Sequence, residues 1–417
     1  IVRTVSPARV QPLAGREHLL TRLSFILAVH LCAANLVFAE TQSPQEIAGR
    51  LYRSLTGVSL LSENPLYASI VDAITRADYA GAASIITNGS KEFYDVTLVN
   101  LAAPFNREEN MEGAATELTA MIVGTVKDNR PFGEILTEDF TYTEDAINTA
   151  TPYSDVNNNH YAAISSGRTF LSPTFTRKVR SSLVGAVPGV GIFTSRPFAE
   201  SYYAAGTNRR PWQGVIQNLF CMTLTQIKNA NVPDTFVRRD VPRAPGGDPA
   251  AFQQDCKGCH GVMDAVTRAF AFMNYDGTRI VKAAQIPAKV NGNIAAGVAV
   301  PYPDALMVTS DAWMLVTNDD QNRILGFEGP FQGNGIRDLG QVIANSEGFN
   351  RCMAKRVVSQ VYLKKVFSVN GFSDAEKKRL IAEESRITKF AESLRLHRNL
   401  KKTFEEVAVE YLKLGIK

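Results

Sequence analysis

Residues 249–273 read PAAFQQDCKGCHGVMDAVTRAFAFM and carry a clear helical pattern. The apolar residues among them recur at spacings of three and four, which is the period of one face of an α-helix. The residues Ser43-Pro44-Gln45-Glu46 form a capping box with Pro at the first helical position, which predicts the start of another helix. The same apolar spacing predicts helices over 65–87, 91–103, 131–138, 212–229, 335–366 and 374–414. We therefore predict a mainly α fold.

Turn-rich stretches divide these helices into modules. Residues 151–159, 187–191 and 241–248 are rich in Pro, Gly, Asn or Asp, which favour turns over helices. Residues 286–304 mix the same residue types with alternating apolar positions, which predicts a short β-hairpin. We predict a multi-module helical protein with an N-terminal helical module at 40–180, a middle module at 181–285 and a C-terminal helical module at 286–417.

Composition and charge are those of a folded protein that is nearly neutral. Hydrophobic residues make up 45% and charged residues 21% of the chain, as in ordinary globular proteins. The net charge of +4 falls to +1 when residues 1–39 are set aside, because they hold four Arg and one Glu. Outside the short basic stretch 394–402 the sequence shows no basic run that could neutralise phosphates. We therefore predict no nucleic-acid partner.

The first part of the chain carries the pattern of an export signal. Arg16 and Arg22 precede an apolar run at 23–38, and Val37-Phe38-Ala39 fits the small-x-small rule for cleavage. The run is shorter than the roughly 20 residues that span a membrane, although a retained anchor is the alternative. We predict a cleaved signal peptide at 1–39 and no integral membrane span in the mature chain. Export would lead to the periplasm or cell surface of a Gram-negative-type bacterium.

The helical stretch contains Cys256-Lys257-Gly258-Cys259-His260, which has the C-x-x-C-H spacing of covalent haem attachment. Two thiols three residues apart reach both vinyl groups of one porphyrin, and the next residue places an imidazole under the iron. Export is consistent with this chemistry, because haem is attached covalently on the far side of the bacterial cytoplasmic membrane. We predict one haem c bound through Cys256 and Cys259, with His260 as the proximal iron ligand. The middle module would then contain a cytochrome-c-like segment.

A zinc knuckle, a dithiol redox pair and a structural disulfide are the rival interpretations of the two cysteines. Zinc would need two more ligands at comparable spacing, and the other Cys and His residues after the export signal are distant: Cys221, Cys352, His160 and His397. A thioredoxin-type pair opens a helix after a strand, and the sequence before Cys256 has no strand pattern. The motif therefore favours haem.

The ligand on the distal side of the iron has to come from elsewhere. Met263 lies three residues from His260 on one helix face, so we expect it to pack rather than to reach the opposite side of the ring. The candidates are His160 in a polar loop and Met307 in a turn-rich segment, with Met314 as a third. A distal position without a protein ligand is the alternative, since a lone His or Met is more often structural.

Two further pairs of residues attract attention by their chemistry. Cys221 and Cys352 are the remaining cysteines after the export signal. In an oxidising compartment an even pair predicts a disulfide, here between the middle and C-terminal modules, and the alternative is two buried thiols. Asp264 and Asp276 follow the haem motif, and we expect a solvated or capping role for both.

Several motifs around the haem segment follow a fixed order. Cys221 comes after a helix with Arg at its start, C-x-x-C-H-x-x-Met-Asp covers 256–264, and a Phe-rich helix at 270–272 leads to Asn-x-Asp-Gly at 274–277. This order resembles the modular haem proteins of unknown function that are abundant in planctomycetes and related bacteria. Ala265 departs from the family pattern, which has Pro at this place.

The flanking modules carry further motifs of the same family. On the C-terminal side these are Phe331-Gln332-Gly333 and SEGFNRC at 346–352. On the N-terminal side they are Arg130-Pro131-Phe132, LTEDFT at 136–141 and His160-Tyr161, where Ala162 stands in place of the family's Gly. The resemblance implies a haem segment between helical modules. Because a His-Tyr pair recurs in the family, the resemblance favours His160 among the candidate distal ligands.

Three functions are compatible with these predictions. The first is electron transfer with a redox partner protein by an exported monohaem c-type cytochrome-like protein, although a carrier needs far fewer residues than this chain has. The second is a haem-dependent redox enzyme, and the third is a haem-containing binding or assembly protein. Iron with six ligands would favour the first function, an open iron position the second, and a dispensable haem the third.

Overall fold

The computed structural model describes residues 42–106, 115–184, 187–296, 302, 304–317, 324–362 and 374–414. The signal peptide predicted at 1–39 lies outside the described residues. Contacts divide the chain into a unit Ile1–Glu46 and a unit Ile47–Lys417. In the first unit the predicted capping box is confirmed: the Ser43 backbone N donates to Glu46 Oε2 at 2.7 Å, and the Glu46 N donates to Ser43 Oγ at 3.2 Å. The second unit contains the rest of the described fold.

Helices dominate the described residues, which confirms the mainly α fold class. The α-helices are α1 (Pro44–Thr56), α2 (Tyr67–Thr75), α3 (Tyr79–Gly89), α4 (Val99–Ala102), α5 (Glu117–Lys127), α6 (Asn159–Gly167), α7 (Arg180–Val184), α8 (Arg196–Tyr202), α9 (Arg210–Leu219), α10 (Pro249–Ala251), α11 (Lys257–Val266), α12 (Gly335–Asn345), α13 (Glu347–Tyr362), α14 (Asp374–His397) and α15 (Leu400–Lys413). Short 3-10 and π turns connect several of them. Within the described ranges no helix combines the length and the apolar character needed to cross a membrane.

Two of the long helices predicted from the sequence are interrupted by a residue with positive φ. The predicted helix 65–87 divides into α2 and α3, because Ala77 has a φ of 58°. The predicted helix 374–414 divides into α14 and α15 at Arg398, which has a φ of 57°. A left-handed backbone stops the regular helical hydrogen bonds, so a helix ends there even where the apolar spacing continues.

The strands among the described residues form three short antiparallel pairs. These are β1 (Thr141–Glu144) with β2 (Phe175–Lys178), β3 (Met273–Tyr275) with β4 (Ile280–Lys282), and β5 (Ala312–Met314) with β6 (Gln332–Asn334). The second pair is a hairpin that follows α11 along the chain. The hairpin predicted at 286–304 is wrong where it is described: Ala288–Ala296 forms 3-10 turns that are broken at Gly292, which has a φ of 66°.

One hydrophobic core extends through the second unit. The predicted N-terminal and C-terminal modules meet where Phe93 packs edge-on against Phe404, with 5.2 Å between ring centroids. The middle and C-terminal modules meet at Phe220 and Phe327, with 5.4 Å between centroids. Aromatic side chains bury large apolar areas and so contribute much of the stability of such contacts. All three predicted modules therefore share one core.

Cys221 and Cys352 are joined by a disulfide, the first of the two alternatives that the sequence leaves open. The S–S distance is 1.99 Å and the Cα atoms are 5.3 Å apart. The bond connects the end of α9 to α13 across a sequence separation of 131 residues. Cross-links of this kind stabilise a fold by about 2–4 kcal/mol, chiefly by restricting the unfolded chain. The disulfide therefore holds the middle and C-terminal parts of this unit together.

Candidate functional site

The predicted haem motif lies at the start of a helix that is fixed from two directions. Asp248 caps the helical stretch, because its Oδ1 accepts a hydrogen bond from Ala250 N at 2.8 Å, and Pro249 takes the first helical position. A π turn, Phe252–Cys256, leads directly into α11. The Phe252 ring is buried in a small apolar cluster against which Cys256 also packs. The cap and the cluster together determine where both cysteines of the motif lie.

The two cysteines of the motif are free thiols, and both are half-buried. The Sγ atom of Cys259 lies 3.9 Å from the carbonyl oxygen of Leu224. Burial raises the pKa of the Cys259 thiol, although nearby Lys228 opposes the rise. Cys259 is therefore held as a protonated thiol in surroundings that are partly apolar.

His260 presents its two ring nitrogens to different surroundings. Its side chain is 27% exposed, and Nδ1 lies 3.6 Å from Oδ2 of Asp264, one helical turn further along α11. Nδ1 is buried and forms no hydrogen bond to a described residue. Nε2 likewise has no hydrogen-bond partner in the described part of the chain. Metal-ligating histidines commonly have this arrangement, with one nitrogen facing a carboxylate and the other free for the metal.

Asp264 is fully buried and surrounded by hydrogen-bond donors. Its Oδ1 accepts from Arg209 Nε at 2.6 Å, and its Oδ2 accepts from the backbone N of Arg238 at 2.8 Å and from Arg209 Nη2 at 3.2 Å. Burial by itself would raise the pKa of this carboxyl, but His260 and the two arginines outweigh burial and hold the pKa well below its ordinary value. The solvated or capping role expected for Asp264 is therefore wrong.

Arg209 connects Asp264 to a second carboxylate, that of Asp240. Its Nη1 and Nη2 donate to the two oxygens of Asp240 at 2.9 Å and 2.7 Å. Arg238 is 1% exposed, and its Nη1 donates to two backbone oxygens at 2.6 Å and 3.0 Å. Two arginines and two aspartates balance each other in charge. We call Arg209, Arg238, Asp240 and Asp264 the charge quartet. Its member Asp264 faces Nδ1 of His260.

Three members of the charge quartet, Arg209, Arg238 and Asp240, could not be predicted from the sequence. Arg209 lies 55 residues before Asp264, and Arg238 lies 26 residues before it. No spacing rule connects residues that are so far apart in the chain. The Arg-rich start of the helix before Cys221, noted in the family resemblance, is the signal that could have pointed to Arg209.

Two other expectations near the motif are confirmed. Met263 is 7% exposed and packs in the hydrophobic core. Asp276 caps the turn of the β3–β4 hairpin, where its Oδ1 accepts hydrogen bonds from the backbone N atoms of Arg279 and Thr278, both at 2.9 Å. These bonds lower the pKa of Asp276 to about 2.

His160 lies at the start of α6 rather than in a loop, and both of its ring nitrogens are engaged. Nε2 accepts a hydrogen bond from the backbone N of Glu144 at 3.1 Å, and Nδ1 donates to the carbonyl oxygen of Thr151 at 2.6 Å. The residue is 1% exposed. A neutral imidazole has one donor and one acceptor nitrogen, so His160 has no lone pair left for iron. His160 could act as the distal ligand only if one of these two hydrogen bonds were broken.

Met307 and Met314 belong to segments that lie near the motif helix. Leu306 pairs with the segment of Arg238, and its carbonyl oxygen accepts from Arg239 N at 3.1 Å. Met307 is 40% exposed, and its Sδ lies 3.7 Å from Arg239 Nη1. Met314 ends β5, which contacts α11. Met307 therefore stays a predicted distal ligand, beside the alternative of an open position.

The residues of the motif fit the part of a haem c site that a protein supplies. Cys256 and Cys259 provide two free thiols, and His260 provides an imidazole with an unbonded Nε2. The porphyrin supplies four ligands to the iron, so one or two protein ligands are sufficient. A zinc site needs three or four, and no group of three His, Cys, Asp or Glu residues that could hold a metal ion occurs in the described ranges. The motif also follows helical turns, whereas a thioredoxin-type pair follows a strand.

No protein-family model, no curated protein and no solved structure matches this chain. The resemblance to the planctomycete-type modular haem proteins therefore stays a prediction.

Proposed function

We propose that this chain is an exported monohaem c-type cytochrome-like protein. Cys256 and Cys259 would hold one haem c through thioether bonds, and His260 would ligate its iron through Nε2. The observation that carries the proposal is the orientation of His260, whose Nδ1 faces the buried Asp264 while its Nε2 has no described partner. Two free thiols on the same helical stretch complete the set of groups that haem attachment requires.

The bound haem would supply one-electron redox chemistry. The residues of the chain would hold it and control its surroundings. The helix face after the motif carries buried apolar side chains, among them Val262, Val266 and Phe270, which lower the local dielectric constant and so influence the redox potential. We propose electron transfer with a redox partner protein as the physiological role.

The disulfide between Cys221 and Cys352 supports the proposed location outside the cytoplasm. Disulfides form and persist in oxidising compartments such as the bacterial periplasm, and cytosolic thiols are kept reduced. Covalent attachment of haem also takes place on the outer side of the cytoplasmic membrane. A periplasmic or cell-surface location therefore suits both pairs of cysteines.

A haem-dependent redox enzyme is the second candidate, and the state of His160 favours it. Both ring nitrogens of His160 are engaged in hydrogen bonds, which counts against the strongest candidate for the distal position. An iron without a distal protein ligand can bind and activate small molecules, whereas an iron with six ligands mainly transfers electrons. The two candidates therefore differ in the distal ligand, which can be measured.

The covalent haem is tested by producing the full chain in a bacterium that has the c-haem maturation system. We expect a pyridine haemochrome spectrum of haem c and a mass increase that corresponds to one haem. Cys256→Ser combined with Cys259→Ser should abolish both signals, because no thioether can form. Purified wild-type protein without covalent haem would overturn the proposal.

The second cysteine pair of the chain supplies a matched control. Cys221→Ser combined with Cys352→Ser removes the disulfide but leaves the motif intact, so we expect a protein that is less stable and still carries one haem per chain. If this control variant lost its haem at a temperature where it stays folded, the loss of haem in the Cys256 and Cys259 variant could not be attributed to the motif.

The distal ligand is tested by the visible spectrum of the reduced protein with and without carbon monoxide. A sharp α-band that does not change supports electron transfer, and substitution of Met307 by Leu should then open the iron to carbon monoxide. A shift of the spectrum in the wild type supports the enzyme candidate. His160→Ala should leave either spectrum unchanged, because its ring nitrogens bond to the backbone of the N-terminal region.

A further inference from the structure

We infer, on the basis of the proposed function, that Asp264 is a positioning residue for His260. Its carboxylate would accept a hydrogen bond from Nδ1–H of His260 and so make Nε2 a stronger electron donor to iron. The remaining members of the charge quartet would hold the carboxylate in place for this purpose.

The geometry of α11 brings the two groups together. Asp264 follows His260 by four residues, and this spacing places two side chains on the same helix face. Nδ1 and Oδ2 are 3.6 Å apart, a few tenths of an ångström beyond a hydrogen bond. Nδ1 is buried and has no other partner among the described residues. A small rotation of the imidazole would complete the bond, and no described group competes for it.

The carboxylate of Asp264 is fixed from the other side. Arg209 donates to both of its oxygens, and the backbone N of Arg238 donates to Oδ2. Arg209 is itself held by two hydrogen bonds to Asp240. An oxygen held by so many donors cannot turn away from His260. The fixed carboxylate of Asp264 therefore orients the imidazole of His260 before haem binds.

The charge balance of the quartet keeps Asp264 negative. A buried carboxylate without a cation would be unstable, but here Arg209 pairs with Asp264 at 2.6 Å and with Asp240 at 2.7 Å. The backbone N of Arg238 donates to Asp264 as well. A negative acceptor strengthens its hydrogen bond to Nδ1–H and increases the basicity of the ligating nitrogen. A more basic ligand stabilises ferric iron relative to ferrous iron. We therefore expect Asp264 to lower the reduction potential of the haem.

The experiment compares two substitutions in the haem-loaded full chain. Asp264→Asn keeps the size of the side chain and removes the negative acceptor that faces His260. Asp240→Asn is the matched control, because Asp240 contacts the same Arg209 and no contact with His260 is present in the described structure. Both variants weaken the charge quartet, so both should lower stability. Only Asp264→Asn should change the reduction potential and the spectrum of the haem iron.

The expected result is a change in midpoint potential and in the ferric electron paramagnetic resonance spectrum. Asp264→Asn should shift the equilibrium between ferrous and ferric haem towards ferrous by a factor on the order of 10, which corresponds to about 59 mV for a one-electron couple. Asp240→Asn should leave the potential and the spectrum near the wild-type values. The inference would be overturned if the midpoint potential of Asp264→Asn equalled that of Asp240→Asn, whether both were shifted from the wild type or neither was.

A measurement on the wild type keeps the inference testable if Asp264→Asn does not fold. In the reduced protein under carbon monoxide, nitrogen-15 NMR should show a proton on Nδ1 of His260 that exchanges with water at least tenfold more slowly than that of a free imidazole. A rapidly exchanging Nδ1 proton would contradict the inference. Absence of covalent haem in the wild type would instead reject the proposed function, so the two failures can be told apart.

Discussion

His160 and His260 show two opposite uses of a histidine in one molecule. In the N-terminal region, both nitrogens of His160 bond to the backbone, at 3.1 Å from Glu144 N and 2.6 Å from Thr151 O. In the motif helix, His260 has one nitrogen facing Asp264 and the other without a described partner. A histidine with both nitrogens engaged stabilises the fold, whereas one with a free nitrogen can bind a metal. The hydrogen-bond partners, rather than the residue type, therefore identify the candidate ligand.

Buried ion pairs differ between the same two regions. Glu117 and Arg180 form a nearly buried pair at 2.9 Å, with side chains that are 3% and 1% exposed. The carboxylate of Glu117 also accepts from Tyr153 Oη at 2.7 Å and from Arg196 N at 2.9 Å. The charge quartet, in contrast, leaves one carboxylate oxygen directed towards His260.

The largest effect is expected from replacing each histidine in turn. His260→Ala removes the proposed proximal ligand, so the amount of haem per protein should fall at least tenfold. His160→Ala leaves two buried backbone groups without a partner, which should cost about 1–3 kcal/mol of stability and leave the haem content unchanged. Absorbance of the haem relative to protein, together with urea unfolding, checks both results. If His160→Ala lost haem and His260→Ala did not, the roles assigned to the two histidines would have to be exchanged.

The next effect concerns the buried ion pair of the N-terminal region. Arg180→Met should lower the free energy of unfolding by about 3–5 kcal/mol, because Glu117 would stay buried without its cation. Arg76→Met is the control, since Arg76 and Asp72 form an exposed pair whose loss should cost at most about 1 kcal/mol. Equal urea midpoints for the two variants would contradict the prediction. The potential of the haem should not change in either variant.

The smallest effect concerns Asp95, a buried carboxylate without a comparable network. Its side chain is 4% exposed, both oxygens lack a hydrogen bond to a described residue, and Arg168 is 3.9 Å away. Burial raises the pKa of Asp95 from 3.8 to about 6, against the opposing charge of Arg168. A carboxyl with a raised pKa in the folded state destabilises the fold once it ionises. Stability should therefore fall as the pH rises from about 4 to 6.

Asp95→Asn removes this ionisation and isolates its cost. We expect the variant to be more stable than the wild type at pH 7 by about 1–2 kcal/mol, after allowance for solvent screening, and to lose this advantage below pH 4. Thermal unfolding across this pH range measures the difference. Asp72→Asn at the exposed pair serves as the control and should show no comparable pH dependence. A constant difference between Asp95→Asn and wild type at every pH would contradict the assigned cause.

Much of the helical structure could be predicted because helix signals are local. Apolar spacing located most helical segments, and the capping box at Ser43 predicted the start of α1. The interruptions at Ala77 and Arg398 could not be predicted, since residues other than Gly seldom adopt positive φ. The hairpin predicted at 286–304 was wrong where described, because alternating apolar residues alone do not supply a partner strand.

The C-x-x-C-H motif could also be predicted from local spacing, but the residues that surround it in the fold could not. The burial of Asp264 depends on Arg209 and Arg238, which come from other segments. The engagement of His160 depends on backbone groups of Glu144 and Thr151 that meet it only in the folded chain. Hydrogen bonds of this kind leave no pattern in the sequence.

Local sequence patterns suffice to predict that the protein is mainly α and that Cys256, Cys259 and His260 lie within one helical stretch. The reason is that the helical period brings residues three and four positions apart to one face. Which histidine keeps a free nitrogen, and which carboxylate is buried beside it, depends on contacts that form only in the folded chain. Arg209 and Asp264 are 55 residues apart in the chain, and their contact exists only because folding removes both from water and makes each the partner that the other requires.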